Sequence, residues 1–109
     1  MVSFVVNRDG TRAKFDLSRI ERAIEKSLHA CTGKDDKIGE VLKGGGSIFA
    51  ISSVLRNKVH EILDKLAPNR LITVELIQDI VERVLMQEDY YVTAKAYILY
   101  RETHAAPPG

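Results

Sequence analysis

The dipeptide Asp9-Gly10 is the feature that most restricts how this chain can fold. Both residues tolerate the positive φ angles of a tight turn, and strand-forming residues lie on either side of it, at 4–6 and at Phe15. The pattern predicts a β-hairpin that is closed by a two-residue loop.

A two-residue loop also predicts the register of the hairpin, with Val6 opposite Ala13 and Val5 opposite Lys14. Because side chains alternate across a strand, this register would give one apolar face and one polar, cationic face. The apolar face would hold Val2, Phe4, Val6, Ala13 and Phe15, and the polar face Ser3, Asn7, Arg12 and Lys14.

Positive charge is concentrated where the hairpin meets the next segment. Four cations fall within residues 8–19, against only two aspartates, Asp9 and Asp16. Two interpretations fit this stretch: a solvated hairpin with ordinary surface charges, or a phosphate site beside a helix N-terminus. The four cations are Arg8, Arg12, Lys14 and Arg19.

Length and composition limit the possible classes of protein. The 109 residues suffice for one domain with a core, and a formal charge of +1 argues against broad nucleic-acid binding. Cys31 is the single cysteine, which excludes an intramolecular disulfide and a cysteine-based zinc site and favours a small buried side chain. No apolar run approaches the roughly 20 residues of a membrane span, so we expect a cytoplasmic protein without a membrane partner.

Four amphipathic helices are predicted after the hairpin, because apolar residues recur there at steps of three and four. The first follows a cap at Asp16 or Ser18 and ends near Gly33. The second ends before Pro68, and the third begins after Thr73, a natural N-cap.

The fourth helix is predicted from about Tyr90 to Glu102, with Tyr91, Ala94, Ile98 and Arg101 along one line. Residues 104–109 are expected to be a linker or a truncated tail. The predicted fold is therefore a mainly helical α+β domain over residues 1–103, in which a short N-terminal hairpin caps four helices.

Residues 33–46 are predicted to form a mobile loop. Their glycine cluster does not fit a Walker phosphate loop, since Gly45 stands where the lysine is required. No nucleophile, base and orienting group appear together either, and His29, His60 and His104 are widely scattered. The residues therefore predict no catalytic site, and His60 is placed at the edge of the second helix's apolar stripe.

The order of these elements and three motifs resemble the ATP-cone, a nucleotide-sensing regulatory domain of ribonucleotide reductases and of their dedicated bacterial repressor. The motifs are F-V-V-N-R-D-G at the hairpin, V-E-L-I-Q-D-I-V-E-R-V-L-M at 74–86 and A-K-A-Y-I-L-Y-R at 94–101. The resemblance extends from Val5 to Arg101, which is nearly the whole chain.

The resemblance implies that an adenine nucleotide lies on the helices beneath the hairpin. Arg19 would contact phosphate, and Thr73 would do so through its hydroxyl and the helix end. The matching positions are Val5, Val6, Asn7, Arg8, Asp16, Arg19 and Thr73, with His60, Lys95 and Arg101 or Thr103 as weaker candidates. The sequence departs from the family pattern at Asn7, where lysine is usual, and at Ala13, where glutamate is frequent.

The parent protein implied by the resemblance is a reductase, because the repressor's four-cysteine zinc ribbon cannot be built with Cys31 alone. The last motif is most similar to anaerobic ribonucleoside-triphosphate reductases, with the coenzyme-B12-dependent class second. This chain would then be the non-catalytic regulatory part of an enzyme that makes deoxyribonucleotides for DNA replication.

The implied function is binding of ATP or dATP, with Mg²⁺ carried by the triphosphate, to control reductase activity and oligomeric state. The implied partners are the adenine nucleotide, the catalytic domain and further copies of the chain. One alternative is a degenerate cone that acts as an interaction or oligomerisation module without nucleotide, as Asn7 and Ala13 suggest. The other is a nucleic-acid-binding domain that uses the basic hairpin, which the near-neutral charge disfavours.

Overall fold

The computed structural model describes residues 2–103, which form two strands and five helices. The predicted tail at 104–109, with His104, lies outside the described residues. The elements are β1 (Phe4–Val6), β2 (Arg12–Lys14), α1 (Leu17–Cys31), α2 (Asp36–Lys43), α3 (Ile48–Leu66), α4 (Val74–Gln87) and α5 (Tyr91–Thr103). The mainly helical α+β class with an N-terminal hairpin is confirmed, with five helices in place of the predicted four.

The additional helix is α2, and the prediction of a mobile loop at 33–46 was wrong there. Asp35 starts this helix, because its side chain accepts a hydrogen bond from the Lys37 amide at 3.1 Å. Ile38 is completely buried and anchors the helix to the core. Only one of the eight residues of α2 is buried, so the segment lacks the repeated apolar spacing by which a helix is predicted from sequence.

The predicted hairpin register was wrong by one residue. The observed pairs are Phe4 with Lys14, Val5 with Ala13 and Val6 with Arg12. The loop has three residues, because the Asn7 amide donates to the Thr11 carbonyl at 2.8 Å. Within residues 2–103, Asp89 is the only non-glycine residue with positive φ, so Asp9 cannot form the first position of a type I′ turn.

Two hydrogen bonds explain why the longer loop forms. Asp9 Oδ1 accepts from the Thr11 amide at 3.0 Å and from the Thr11 hydroxyl at 2.6 Å, and Gly10 alone takes positive φ, at 85°. The shift turns the first strand over relative to the second, so that Val5 and not Phe4 shares the inner face with Ala13. Val5 is buried together with half-buried Ala13, while Phe4 lies on the outer face with the Arg12 guanidinium 4.5 Å above its ring.

The core lies between four of the helices. Helix α1 packs on α3 and α5, and α4 packs on the same two helices. The fully buried or nearly buried side chains include Ile24, Leu28, Cys31, Leu55, Val59, Leu63, Val81, Val84, Leu85 and Ala94. Cys31 is therefore a buried core residue, as predicted.

Helix α5 buries only part of the line predicted along it, since Ala94 is buried and Tyr91 is exposed. Tyr90, Thr93, Ala94 and Tyr97 are buried, whereas Tyr91 is 57% exposed. The difference arises because Asp89 ends α4 with a φ of 70°, while the Tyr90 amide donates to the Leu85 carbonyl at 2.9 Å. That turn fixes where α5 begins and which of its residues face inward.

The hairpin is attached to the N-terminus of α4. The Val6 amide donates to the Ile72 carbonyl at 2.9 Å, and Val6 forms a parallel bridge with Thr73. Within residues 2–103 no single helix is long and apolar enough to cross a membrane, and only α2 and α3 taken together, bent by 116°, meet that test.

Candidate functional site

A cleft of about 600 Å³ lies between the hairpin, the first turns of α1, helix α4 and the middle of α5. This volume lies within the range of small-molecule sites, roughly 300–1,000 Å³. The cleft is lined by Val5, Asn7, Arg8, Asp9, Ala13, Lys14, Phe15, Asp16, Arg19, Ile20, Ala23, Val74, Ile77, Gln78, Val81 and Tyr97.

The inner part of the cleft is apolar. Val5 and Ala13 contribute the inward face of the hairpin, and α1 adds Ile20. On the other side α4 presents Ile77 and Val81, one turn apart. These side chains form two walls on which a flat aromatic ring can pack.

Arg8 is a rim cation that already has partners. Its Nε lies 3.0 Å from Glu75 Oε2, and its Nη2 donates to Gln78 Oε1 at 3.2 Å. Both contacts join the hairpin loop to the first turns of α4. A ligand phosphate at this position would compete with the Glu75 carboxylate for the guanidinium.

Arg19 is a rim cation of a different kind. It is exposed on the first turn of α1, and it lines the cleft. Within residues 2–103 its guanidinium has neither an ion-pair partner nor a side-chain hydrogen bond. A charge with no internal partner is available to an anion, and the N-terminal end of a helix adds to its attraction.

Asp16 is the N-cap of α1. Its Oδ1 accepts from the Ser18 amide at 3.0 Å and from the Ser18 hydroxyl at 2.6 Å. The side-chain hydrogen bond from Ser18 is the main reason why the pKa of Asp16 is lowered. Asp16 therefore carries a negative charge at neutral pH beside the Arg19 that lines the same cleft.

Thr73 is the N-cap of α4, as predicted. Its hydroxyl accepts from the Leu76 amide at 3.1 Å. The next residue, Val74, lines the cleft, so the positive end of α4 lies at its edge. Val6 forms a backbone bridge with Thr73, and neither of these two residues lines the cleft itself.

Three of the weaker candidates lie away from the cleft. His60 stacks on Phe15 with ring centroids 5.8 Å apart and pairs with Asp64 at 3.3 Å, so it supports a residue of the lining from behind. Lys95 is exposed on α5 and does not line the cleft. Thr103 donates to the Tyr100 carbonyl at 2.9 Å at the end of α5.

Arg101 contacts carboxylates of α4 and does not line the cleft. Its Nη1 lies 2.8 Å from Asp79 Oδ1 and 2.5 Å from Glu82 Oε1. Burial lowers the pKa of Arg101, but the hydrogen bonds that Arg101 donates to Asp79 and Glu82, together with the charges of these carboxylates, outweigh this effect and raise it overall. This residue joins α5 to α4.

The model of the ATP cone domain matches residues 3–106 of the 109. The chain belongs to the ATP-cone family. The resemblance read from the hairpin and the last two helical motifs is thereby confirmed.

Relatives of this ATP-cone include reductases of three kinds. It is 40% identical over 103 residues to the ribonucleoside-diphosphate reductase subunit alpha of Chlamydia trachomatis, covering 93% of this chain and 9% of the relative. It is 37% identical over 111 residues to the vitamin B12-dependent ribonucleoside-diphosphate reductase of Thermoplasma acidophilum, covering 97% and 12%. It is 35% identical over 101 residues to the anaerobic ribonucleoside-triphosphate reductase of Haemophilus influenzae, covering 89% and 12%.

This ATP-cone thus spans only about a tenth of the length of the curated relatives it matches. Because three kinds of reductase match, the anaerobic class read from the last motif stays a prediction.

The cleft of the ATP-cone brings together five of the positions named from the sequence. They are Val5, Asn7, Arg8, Asp16 and Arg19, and the two atypical positions Asn7 and Ala13 both line it. Asn7 donates to the Thr11 hydroxyl at 3.1 Å, so the residue that replaces the usual lysine is turned into the hairpin loop.

Sequence reasoning missed Gln78 and Tyr97, which also line the cleft. Tyr97 follows buried Thr93 and Ala94 by four and three residues, and this spacing is the signal that could have found it. The predicted line through Tyr91, Ala94, Ile98 and Arg101 does not include Tyr97.

Proposed function

We propose that this ATP-cone binds an adenine nucleotide, ATP or dATP, in the cleft beneath the hairpin. The observation that carries the proposal is a single cavity with an apolar interior and a cationic rim. A nucleotide has matching parts, because its flat base suits an apolar interior and its phosphates suit a cationic rim. The cavity is also large enough for it.

The phosphates would lie at the rim, near the N-terminus of α1. Arg19 has no side-chain partner within residues 2–103, and Arg8 could exchange Glu75 for a phosphate oxygen. Charge-assisted hydrogen bonds of this kind are about twice as strong as neutral ones. The helix N-termini beside the cleft add donors and positive partial charge.

The base would lie between the apolar walls that Val5, Ile20 and Ile77 form. Burial of a flat ring there is favourable at roughly 25 cal/mol per Å² of apolar surface. Within residues 2–103 no three His, Cys, Asp or Glu side chains are placed to hold a metal ion. Mg²⁺ would arrive on the triphosphate, where it would neutralise part of the phosphate charge.

We further propose that nucleotide binding regulates a ribonucleotide reductase that contains this domain. ATP and dATP differ by one hydroxyl, so regulation requires that two states of the assembly bind them unequally. A coupling of about 1–3 kcal/mol is typical of such systems. The hairpin lines the cleft together with α1 and α4 and is joined to α4 through Arg8, so it is the element that a ligand in the cleft would move. The cytoplasmic location, the homo-oligomer and the absence of nucleic-acid and membrane partners stay predictions of the sequence.

A second candidate function is an interaction module that has lost nucleotide binding. The observation that favours it is the pair of atypical lining residues, Asn7 and Ala13, which leave the cleft without one cation and one carboxylate of the family pattern.

Calorimetric titration of the 109-residue chain with Mg²⁺ and ATP, dATP or GTP separates the two functions. We expect saturable binding of the adenine nucleotides and weaker binding of GTP. Light scattering on the same samples would detect a change of size that follows one nucleotide and not another. Absence of heat with all three nucleotides would overturn nucleotide sensing and favour the interaction module.

A further inference from the structure

Tyr97 is a buried residue whose hydroxyl group is not used by any residue that the structure describes. The residue is only 4% exposed and lines the cleft from α5. The buried hydroxyls of Ser27, Ser52 and Thr93 all donate to a carbonyl or carboxylate, whereas that of Tyr97 has no hydrogen-bond partner within residues 2–103.

The Tyr97 oxygen is not sealed inside the protein. Among the residues that the structure describes, no fully buried side-chain nitrogen or oxygen lacks a hydrogen-bond partner. Since the Tyr97 hydroxyl lacks one, it must keep some accessible surface, and the cleft is the open space that this side chain borders. A polar group of this kind is costly unless a ligand or water completes it.

The position of Tyr97 separates it from the phosphate rim. The charged groups that act on it from α4 are Asp79 and Glu82, together with Arg101 of its own helix. Arg8, by contrast, is held by Glu75 and Gln78 in the first turns of α4. From Val74 to Val81 the lining of α4 extends over about 10 Å at 1.5 Å per residue. Tyr97 thus lies beside the part of α4 that follows Gln78, away from the Glu75 end.

We propose that the Tyr97 hydroxyl hydrogen-bonds to the nucleoside part of the bound nucleotide, either the base or the sugar, and so helps to select the ligand. This assignment rests on the proposed nucleotide binding. A phenol both donates and accepts, so it can pair with a ring nitrogen, an exocyclic amine or a ribose hydroxyl. Burial raises the pKa of Tyr97 to about 12, so the group keeps its proton at neutral pH.

The test compares Tyr97→Phe with a matched control, Tyr90→Phe. Tyr90 is a second buried tyrosine, 6% exposed, which directly precedes α5 and does not line the cleft. Each variant is titrated calorimetrically with ATP, dATP and AMP after its melting temperature without ligand has been measured. Loss of one neutral hydrogen bond corresponds to an affinity about three- to ten-fold lower.

We expect Tyr97→Phe to weaken ATP and AMP by the same factor and Tyr90→Phe to leave both unchanged. A smaller loss for dATP than for ATP would assign the bond to the 2′-hydroxyl, and an equal loss would assign it to the rest of the nucleoside. Wild-type affinity of Tyr97→Phe, or a loss with ATP but not with AMP, would overturn the assignment. Absence of all binding to the wild-type chain would overturn the proposed function itself.

Discussion

The N-termini of α2 and α5 meet over one buried carboxylate, whereas those of α1 and α4 border the cleft. Asp35 Oδ1 accepts from the Lys37 amide in α2, and Oδ2 accepts from the amide and the hydroxyl of Thr93 in α5, at 2.9 and 2.7 Å. At the cleft, Asp16 and Thr73 each cap only their own helix.

The two pairs of helix N-termini therefore differ in role: the pair at Asp35 stabilises the fold, and the pair at the cleft is open to a ligand. Asp35 is 4% exposed, and both of its carboxylate oxygens already accept hydrogen bonds from the protein, so this carboxylate holds two helices together. At the cleft the caps are partly exposed, and Arg19 has no side-chain partner within residues 2–103. A helix N-terminus attracts an anion only where its donors and nearby cations remain open.

The largest effect is expected from Asp35→Ala. The substitution leaves the Thr93 amide and hydroxyl unpaired in a buried place, which should lower the free energy of unfolding by about 2–4 kcal/mol. Urea denaturation followed by circular dichroism measures this loss. The matched control is Asp16→Ala, an exposed N-cap, whose loss should be much smaller. Equal losses would contradict the contrast between the two ends.

A second prediction concerns alkaline pH and the buried Tyr97 in the cleft. Its pKa is raised from an ordinary value of 10 to about 12 by burial, so the unfolded chain loses this proton first. The contribution to stability is complete below pH 10 and is lost as the pH rises to about 12. The wild type should lose about 2–3 kcal/mol more than Tyr97→Phe over that interval. Parallel pH profiles of the two proteins would contradict the burial of this hydroxyl.

Arg19→Ala should weaken ATP binding at least ten-fold, because one charge-assisted contact to phosphate is removed. The melting temperature without ligand should change little, since the guanidinium has no partner in residues 2–103 to lose. Calorimetry with ATP and AMP measures the effect, which should be larger for the triphosphate.

The matched control is Arg22→Ala, one turn further along α1. Arg22 is exposed, donates to the Ser18 hydroxyl at 3.4 Å and does not line the cleft. Wild-type affinity of Arg19→Ala, or an equal loss in both variants, would exclude Arg19 as a specific phosphate ligand.

The smallest effect is expected from Glu75→Gln, which removes the carboxylate that holds Arg8 at 3.0 Å. An exposed ion pair of this kind is worth about 0.2–1 kcal/mol, so its release should raise ATP affinity by up to about five-fold. Glu88→Gln is the control, because Glu88 pairs with Lys58 at 3.7 Å at the other end of α4. Reduced ATP affinity in Glu75→Gln would show that the Arg8–Glu75 pair builds the site instead of competing with the ligand.

Patterns within one element predicted much of the fold. The stripe of α1 with Ile20, Ile24 and Leu28, and the cap of α4 at Thr73, depend only on spacing and on local hydrogen bonds. The hairpin register failed because Asp9 bonds to Thr11 and lengthens the loop, a competition between two local turns that Asp-Gly alone does not decide.

The candidate site was predicted less completely. Residues near the turn and the caps, such as Arg8, Asp16 and Arg19, could be named because their motif is continuous in sequence. Gln78 and Tyr97 could not, since they reach the cleft only after α4 and α5 have packed beside the hairpin. His60 and Arg101 were named on resemblance alone. In the structure His60 pairs with Asp64, and Arg101 pairs with Asp79 and Glu82.

The sequence by itself determined the hairpin, the helical stripes, the helix caps and the family of this domain, because these depend on residue types at short spacing. Tertiary structure alone decided which face of each element meets the cleft and which charges already have partners. Asp35 is the clearest case. Fifty-eight residues separate it from Thr93, and only the packed fold brings the carboxylate within 2.7 Å of that hydroxyl and turns a helix cap into a bond between two helices.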